Sequence, residues 1–334
     1  MKNGAYPHNV QLIVTERCNL ACRHCAVPEE DSPAGTELTI DDWKAFTTLL
    51  DGAGVRSLTI SGGEALLRHG VMDLTEHACA LRFDQVCLVS NGLVMREPDR
   101  VAVARLQRQS HAFGYHVSLD GASARTHDWM RGQGAWARTW RNLERLRAAG
   151  GRVDGVQVVL HEGNADELEQ LAHQARELGS RVVVVFPHAA IGRARRTPHG
   201  LTPDGWSEVY RRTAALEAAT GLSIVLMGPV LIDEWPDSAS VVPNPATPTS
   251  MNMCVGPDGE AFTCPPLRPR SLGAVGDLLS GADSFDAVAA RGGLLTHEVC
   301  GTCKFQLLCT GVNRAQPWRD RAAGQVFRDP HVVA

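Results

Sequence analysis

The chain has 334 residues, 44% of them hydrophobic and 21% charged, enough for a full-sized core and a smaller module. A formal charge of −4 with no basic block gives no electrostatic case for nucleic acid, although it tolerates a cationic substrate. The sequence has no apolar run long enough for a transmembrane helix, and residues 1–7 have no apolar signal region, so the expected location is the cytoplasm, off the membrane. Ten cysteines without a secretory signal are read as ligands or free thiols, not as disulfides. Eight fall in two groups, Cys18/Cys22/Cys25 and Cys254/Cys264/Cys300/Cys303/Cys309. Cys79 and Cys87 stand alone in apolar surroundings and read as small buried hydrophobes.

In chain order, Val10–Thr15 is a run suited to a buried parallel strand. It is followed by Thr15-Glu16-Arg17-Cys18-Asn19-Leu20-Ala21-Cys22-Arg23-His24-Cys25. Three thiolates at C-x-x-x-C-x-x-C spacing suit three corners of a [4Fe–4S] cluster with one iron left open. A zinc site is the alternative, with His24 or His8 as fourth ligand. Thr39 then caps a helix with Trp43, Phe46, Leu49 and Leu50 on one face. A short β run at 56–61 breaks into Gly62-Gly63-Glu64. A helix over 72–81 precedes strand 85–90, which ends in Asn91-Gly92, and a helix over 99–109 follows. Strand 115–119 leads to Asp120-Gly121, and a helix over 136–149 places Trp140, Leu143 and Leu146 near one face. Strand 156–160, helix 165–178 and strand 181–186 complete the series. Strands alternating with helices in this way argue for parallel βα units.

From Thr202 the pattern changes. An amphipathic helix over about 203–220 precedes an apolar stretch, 223–231, and a Pro/Ser/Thr-rich segment, 242–250, reads as a linker. Two β runs flanking Pro257-Asp258-Gly259 predict a hairpin. The tail carries Cys300-Gly301-Thr302-Cys303 and Cys309.

The cysteine spacing after a first strand, within T-x-R-C-N-L-x-C-x-H-C, resembles the radical S-adenosylmethionine (radical SAM) superfamily. The resemblance implies an α/β fold, a partial (β/α)₆ barrel over residues 8–200 with its chemistry at the C-terminal strand ends. It assigns Cys18, Cys22 and Cys25 to a [4Fe–4S] cluster whose open iron binds S-adenosylmethionine (SAM). Gly62, Gly63 and Glu64 match the G-G-E motif that grips the SAM ammonium. Glycines let the backbone approach a ligand, and a carboxylate offsets the positive charge. Ser90, Asn91, Ser118 and Asp120 match positions that face the ribose and the methionine carboxylate. Arg131 sits where relatives place a carboxylate-binding arginine, with a surface salt bridge as its plain alternative. Asn164 and Gly192-Arg193-Ala194 either border the adenine or are simple turns.

Residues 246–325 resemble the SPASM/twitch extension, joined to the barrel by a connecting helix and linker at 201–245. A full SPASM module needs more cysteines than are present, and Asn313 stands where another would be. One auxiliary [4Fe–4S] cluster is therefore expected, held by Cys264, Cys300, Cys303 and Cys309. Cys254 is then a hydrogen donor to a substrate radical, a replacement cluster ligand or an inert strand residue.

On these grounds the expected activity is radical epimerisation of an aminoglycoside-like amino sugar, with Cys254 returning the hydrogen and a flavodoxin- or ferredoxin-type donor supplying the electron. Dehydrogenation of an aminocyclitol alcohol through the auxiliary cluster is the second reading. Maturation of a ribosomally made peptide, by crosslinking or epimerisation, is the third. A small-molecule substrate is preferred because only 17 residues precede Cys18, too few for a leader-gripping module.

Overall fold

The computed structural model describes residues 9–25, 37–188, 192–197, 200–227, 252–262, 271–284 and 287–288. Seven strands alternate with helices. They are β1 (Asn9–Ile13), β2 (Ser57–Ser61), β3 (Gln85–Ser90), β4 (Phe113–Ser118), β5 (Gly155–Leu160), β6 (Val182–Pro187) and β7 (Ser223–Leu226). Between them lie α1 (Ile40–Ala53), α2 (Val71–Cys79), α3 (Glu97–Gln109), α4 (Ala124–Arg131), α5 (Ala135–Ala148), α6 (Leu168–Glu177) and α7 (Pro203–Thr220). The start of α1 shows how local chemistry sets a boundary. Thr39 accepts from the Asp42 amide, the Asp42 carboxylate accepts from the Thr39 amide, and Gly54 ends the helix at φ 86°.

Each strand pairs parallel with the next, in the order β1 to β7. Crossovers between parallel neighbours are right-handed as a rule, which puts the helices on one face of the sheet and leaves the other as an inner face. The helix-covered face is aliphatic: Val10, Leu12, Leu58, Ile60, Val86 and Leu88 are fully buried with Trp43, Phe46 and Leu50 of α1. The inner face is polar along its first strands. Asn9 stands beside Ser57 and Gln11 beside Thr59, and the Ser57 and Thr59 hydroxyls donate to Asn9 Oδ1.

The sheet runs past the two boundaries expected from the sequence. The segment after residue 200 is more than a connector, because β7 pairs parallel with β6 and extends the series to seven strands. The expected hairpin is β8 (Asn252–Val255) and β9 (Glu260–Phe262), with Gly259 of the turn at φ 86°. It joins the same sheet, for β8 pairs parallel with β1. β10 (Gly273–Ala274) adds to β9, and α8 (Val275–Ser280) follows. The result is one ten-stranded sheet among the described residues.

Candidate functional site

The cysteine loop leaves β1 at the C-terminal edge of the sheet and is held from three sides. On one side the Gly63 amide donates to Thr15 O at 2.7 Å and the Glu64 amide to Arg17 O at 2.9 Å. A Cβ on Gly62 would lie 2.5 Å from Thr15 O, and one on Gly63 2.4 Å from Glu16 O. These glycines therefore seat the loop itself, a need the sequence did not reveal. On a second side, the end of α4 receives Arg23: its amide donates to Met130 O at 2.9 Å and its Nε to Trp129 O at 2.7 Å. On the third, Arg193 donates from its amide to Cys25 O and from Nε to Cys22 O, both at 3.0 Å.

Within this seat Cys18 is exposed, Cys25 half-buried and Cys22 buried. Burial pushes the Cys22 thiol up to about 11, against the pull of the Arg131 guanidinium, and raises Cys18 as well. Metal binding must drive out these protons, so loading and deprotonation are coupled. Asn91 Nδ2 lies 3.9 Å from Cys18 Sγ and donates to Asn19 Oδ1 at 2.9 Å.

Glu64, at 2% exposure, accepts from the Asn91 amide at 2.7 Å and from the Leu66 amide at 3.1 Å. Burial raises its carboxyl, and those amides oppose the shift. Ser90 is buried, and its hydroxyl accepts from the Gly92 amide at 3.0 Å within the turn. Ser118 stands on the inner face beside Gln157.

Asp120 and Arg131, read separately from the sequence, form one buried pair. Arg131 Nε donates to Asp120 Oδ2 at 2.6 Å, and the Val159 amide donates to Oδ1 at 2.8 Å. Burial would raise the Asp120 carboxyl, but Arg131 overrides it and holds it down to about 2. The plain alternative for Arg131, a surface salt bridge, does not apply, since it is 8% exposed and Asp120 fully buried. Asn164 supports the pair by donating to Asp120 O at 2.9 Å.

Histidines surround this pair; the sequence offered His24 only as a possible zinc ligand and gave His127, His161 and His188 no role. His24 places Nδ1 3.7 Å from Asp120 Oδ2. His127 Nδ1 accepts from the Asp120 amide at 3.2 Å. His161 follows β5, stacks on Trp129 at 5.1 Å and meets His188 at 6.2 Å. The Arg23 guanidinium lies over the Trp129 ring at 4.8 Å. Burial lowers both His24 and His127 to about 4. The available signal was positional, since His161 and His188 each directly follow a strand.

Cys254 lies on the inner face beside Gln11, with Sγ 3.7 Å from Gln11 Oε1, and is 4% exposed. Cys264, Cys300, Cys303 and Cys309 fall outside the described residues, as does His8. Among the described residues no three His, Cys, Asp or Glu groups gather around a single-ion position. Three thiols spread along one loop, with His24 turned to Asp120, are a donor set that suits a cluster taking one cysteine per corner.

A model of the radical SAM superfamily matches residues 12–175. The antilisterial bacteriocin subtilosin biosynthesis protein AlbA of Bacillus subtilis is 25% identical over 289 residues, covering 84% of this chain and 59% of AlbA. This chain thus spans less than two thirds of that relative. A PqqA peptide cyclase of Streptomyces rochei is 28% identical over 319 residues, covering 89% of this chain and 81% of the cyclase. Among solved structures, Streptococcus suis SuiB bound to precursor peptide SuiA superposes with a TM-score of 0.71 at 15% identity, covering 92% of this chain and 73% of SuiB. That likeness shows that the two chains share a fold. The expected small-molecule partner, an amino sugar or aminocyclitol, is corrected by these relatives, which act in bacteriocin biosynthesis and peptide cyclisation. The physical reason is that the motifs behind the resemblance are those expected of radical initiation, which is indifferent to what the radical attacks. The space before Cys18 carried no information about the substrate. No helix among the described residues is long and apolar enough to cross a membrane.

Proposed function

We propose that this protein, which a model of the radical SAM superfamily matches over residues 12–175, is a radical SAM enzyme that modifies a ribosomally made precursor peptide. The observation that carries the reading is the similarity to a peptide cyclase along 89% of this chain. Cys18, Cys22 and Cys25 would hold the [4Fe–4S] cluster. Glu64, Asn91, Ser118, Asp120 and Arg131 line the strand ends where SAM binds it. Bound there with the cluster, SAM would supply the radical chemistry that removes one hydrogen atom from the peptide. The chain's own contribution is to seat the loop through Gly62 and Gly63 and to keep Asp120 ionised against Arg131. Cys264, Cys300, Cys303 and Cys309 are the proposed ligands of one auxiliary cluster.

Within peptide maturation, the inner-face position of Cys254 beside Gln11 favours epimerisation over crosslinking. A thiol hydrogen is more weakly bound than most carbon-bound hydrogens, so a thiol on that face can return hydrogen to a backbone radical. Incubating the reconstituted enzyme with short peptides encoded beside its gene, in D₂O, tests both levels. Epimerisation gives a product carrying one deuterium, and Cys254→Ala removes that product while 5′-deoxyadenosine still forms. A product two hydrogens lighter assigns crosslinking instead. Peptides left unchanged, alongside active SAM cleavage on another substrate, overturn the peptide reading.

A further inference from the structure

The cysteine loop leaves the sheet at Thr15, and the described chain resumes at Glu37. Both points meet on one carboxylate. Thr15 Oγ1 donates to Glu37 Oε1 at 2.6 Å, and Arg68 Nη1 donates to Glu37 Oε2. Thr15 is fully buried, and the Glu37 and Arg68 side chains are 24% and 16% exposed, so water screens the pair only in part. The Thr15 hydroxyl also accepts from the Arg17 amide at 3.2 Å, one residue before Cys18.

The carboxylate reaches further through its neighbour. Arg68 Nη2 donates to Leu38 O, and the Leu38 amide donates to Pro257 O at 2.7 Å, in the turn between β8 and β9. Gly259 of that turn packs against Leu38, whose methyl carbons would lie 3.4 Å from a Cβ placed there. Arg68 itself stands just after the Gly62-Gly63-Glu64 turn that seats the loop.

We propose that Glu37 is a positioning residue that locks the cysteine loop to the β8–β9 hairpin, so that the two move as one unit. The proposal rests on Cys18, Cys22 and Cys25 being the cluster ligands, and not on the identity of the substrate. Arg68 supplies the countercharge, Thr15 carries the constraint toward Cys18, and Leu38 carries it to the hairpin. Loosening Glu37 should therefore loosen both the cysteine side and the hairpin side, and leave the far strands unaffected.

Hydrogen–deuterium exchange on the reconstituted full chain, read by mass spectrometry on short fragments, tests this without any peptide substrate. Loss of charge-assisted hydrogen bonds in Glu37→Ala should speed exchange about tenfold at the Arg17, Leu38, Gly63 and Glu64 amides, with β5 and β6 unchanged. Glu37→Gln still accepts from Thr15 but loses the charge opposite Arg68, so it should fall between wild type and Glu37→Ala. Arg68→Lys keeps the charge and should come nearer to wild type. Iron release to a chelator should accelerate in the same order. Unchanged exchange at those amides in both Glu37 variants overturns the proposal, as does a uniform rise across β5 and β6. If Glu37→Ala does not fold, Glu37→Gln alone decides. A protein inactive on every peptide but showing this pattern would contradict the peptide reading and leave the latch standing.

Discussion

Two buried carboxylates stand at opposite ends of neighbouring strands, and the contrast between them separates chemistry from scaffolding. Asp120 follows β4 at the C-terminal edge. It holds Arg131, takes the Val159 amide and faces His24 of the cysteine loop. Asp154 precedes β5 at the opposite edge. It accepts from Gln107 Nε2 at 2.5 Å, the Tyr115 amide at 3.0 Å and Arg152 Nε at 2.7 Å. Both satisfy buried donors, and both have a neighbouring histidine lowered to about 4 by burial, His24 and His116. Only Asp120 shares its surroundings with the thiols of the cysteine loop, since Arg131 and Asp120 both act on Cys22, whereas the thiol near Asp154 is the buried Cys87. Polar satisfaction is thus common to both ends, and position relative to the cysteines makes one of them a site.

The comparison can be broken at three strengths. The largest effect is expected from Asp120→Ala, which leaves the Arg131 charge buried and unpaired, at a cost of about 3–5 kcal/mol. Chemical denaturation should register that loss together with weakened iron retention. Asp154→Ala leaves backbone and amide donors unsatisfied and should cost about 1–3 kcal/mol. Its iron content and 5′-deoxyadenosine yield per cluster should match wild type. Equal loss of cluster in both variants would erase the distinction between the two ends.

The smallest effect is in pH dependence. His116 is lowered from 6.5 to about 4, so between those values the unfolded chain binds the proton more readily than the folded one. Stability therefore falls as pH drops from 6.5 toward 4 and levels off below that. His116→Gln should flatten the slope by about 1 kcal/mol per pH unit, with no change in iron retention. Asp120 has the same sign in a lower pH window, because it too must stay deprotonated in the folded chain. Held at about 2, it contributes stability that is present above its ordinary value near 3.8 and lost as pH falls toward 2.

Much of the architecture was legible because period and punctuation agreed. The Thr39 cap and the strand-end glycines marked the alternating units, and the cysteine spacing marked the loop. The joining of β7 and β8 to the sheet was not legible. Cys254 lies beside Gln11, a pairing across most of the chain that no local pattern encodes. Asp120 and Arg131 were both named as ligand-facing residues, yet their pairing depends on how the end of α4 packs against the end of β4. His161 and His188 were passed over because a histidine after a strand has no spacing signature. The substrate was misread for a different reason: the motifs behind the resemblance are those expected for making a radical, and residues that would choose its target carry no comparable signature.

The central claim is that the Cys18/Cys22/Cys25 loop generates a radical that takes hydrogen from a peptide. The most direct measurement is mass analysis of 5′-deoxyadenosine formed with a candidate precursor peptide deuterated at its carbon-bound positions. The account predicts one deuterium transferred into 5′-deoxyadenosine, and no transfer in a Cys22→Ala variant. Deuterium-free 5′-deoxyadenosine in the presence of a peptide that is nevertheless modified would contradict it.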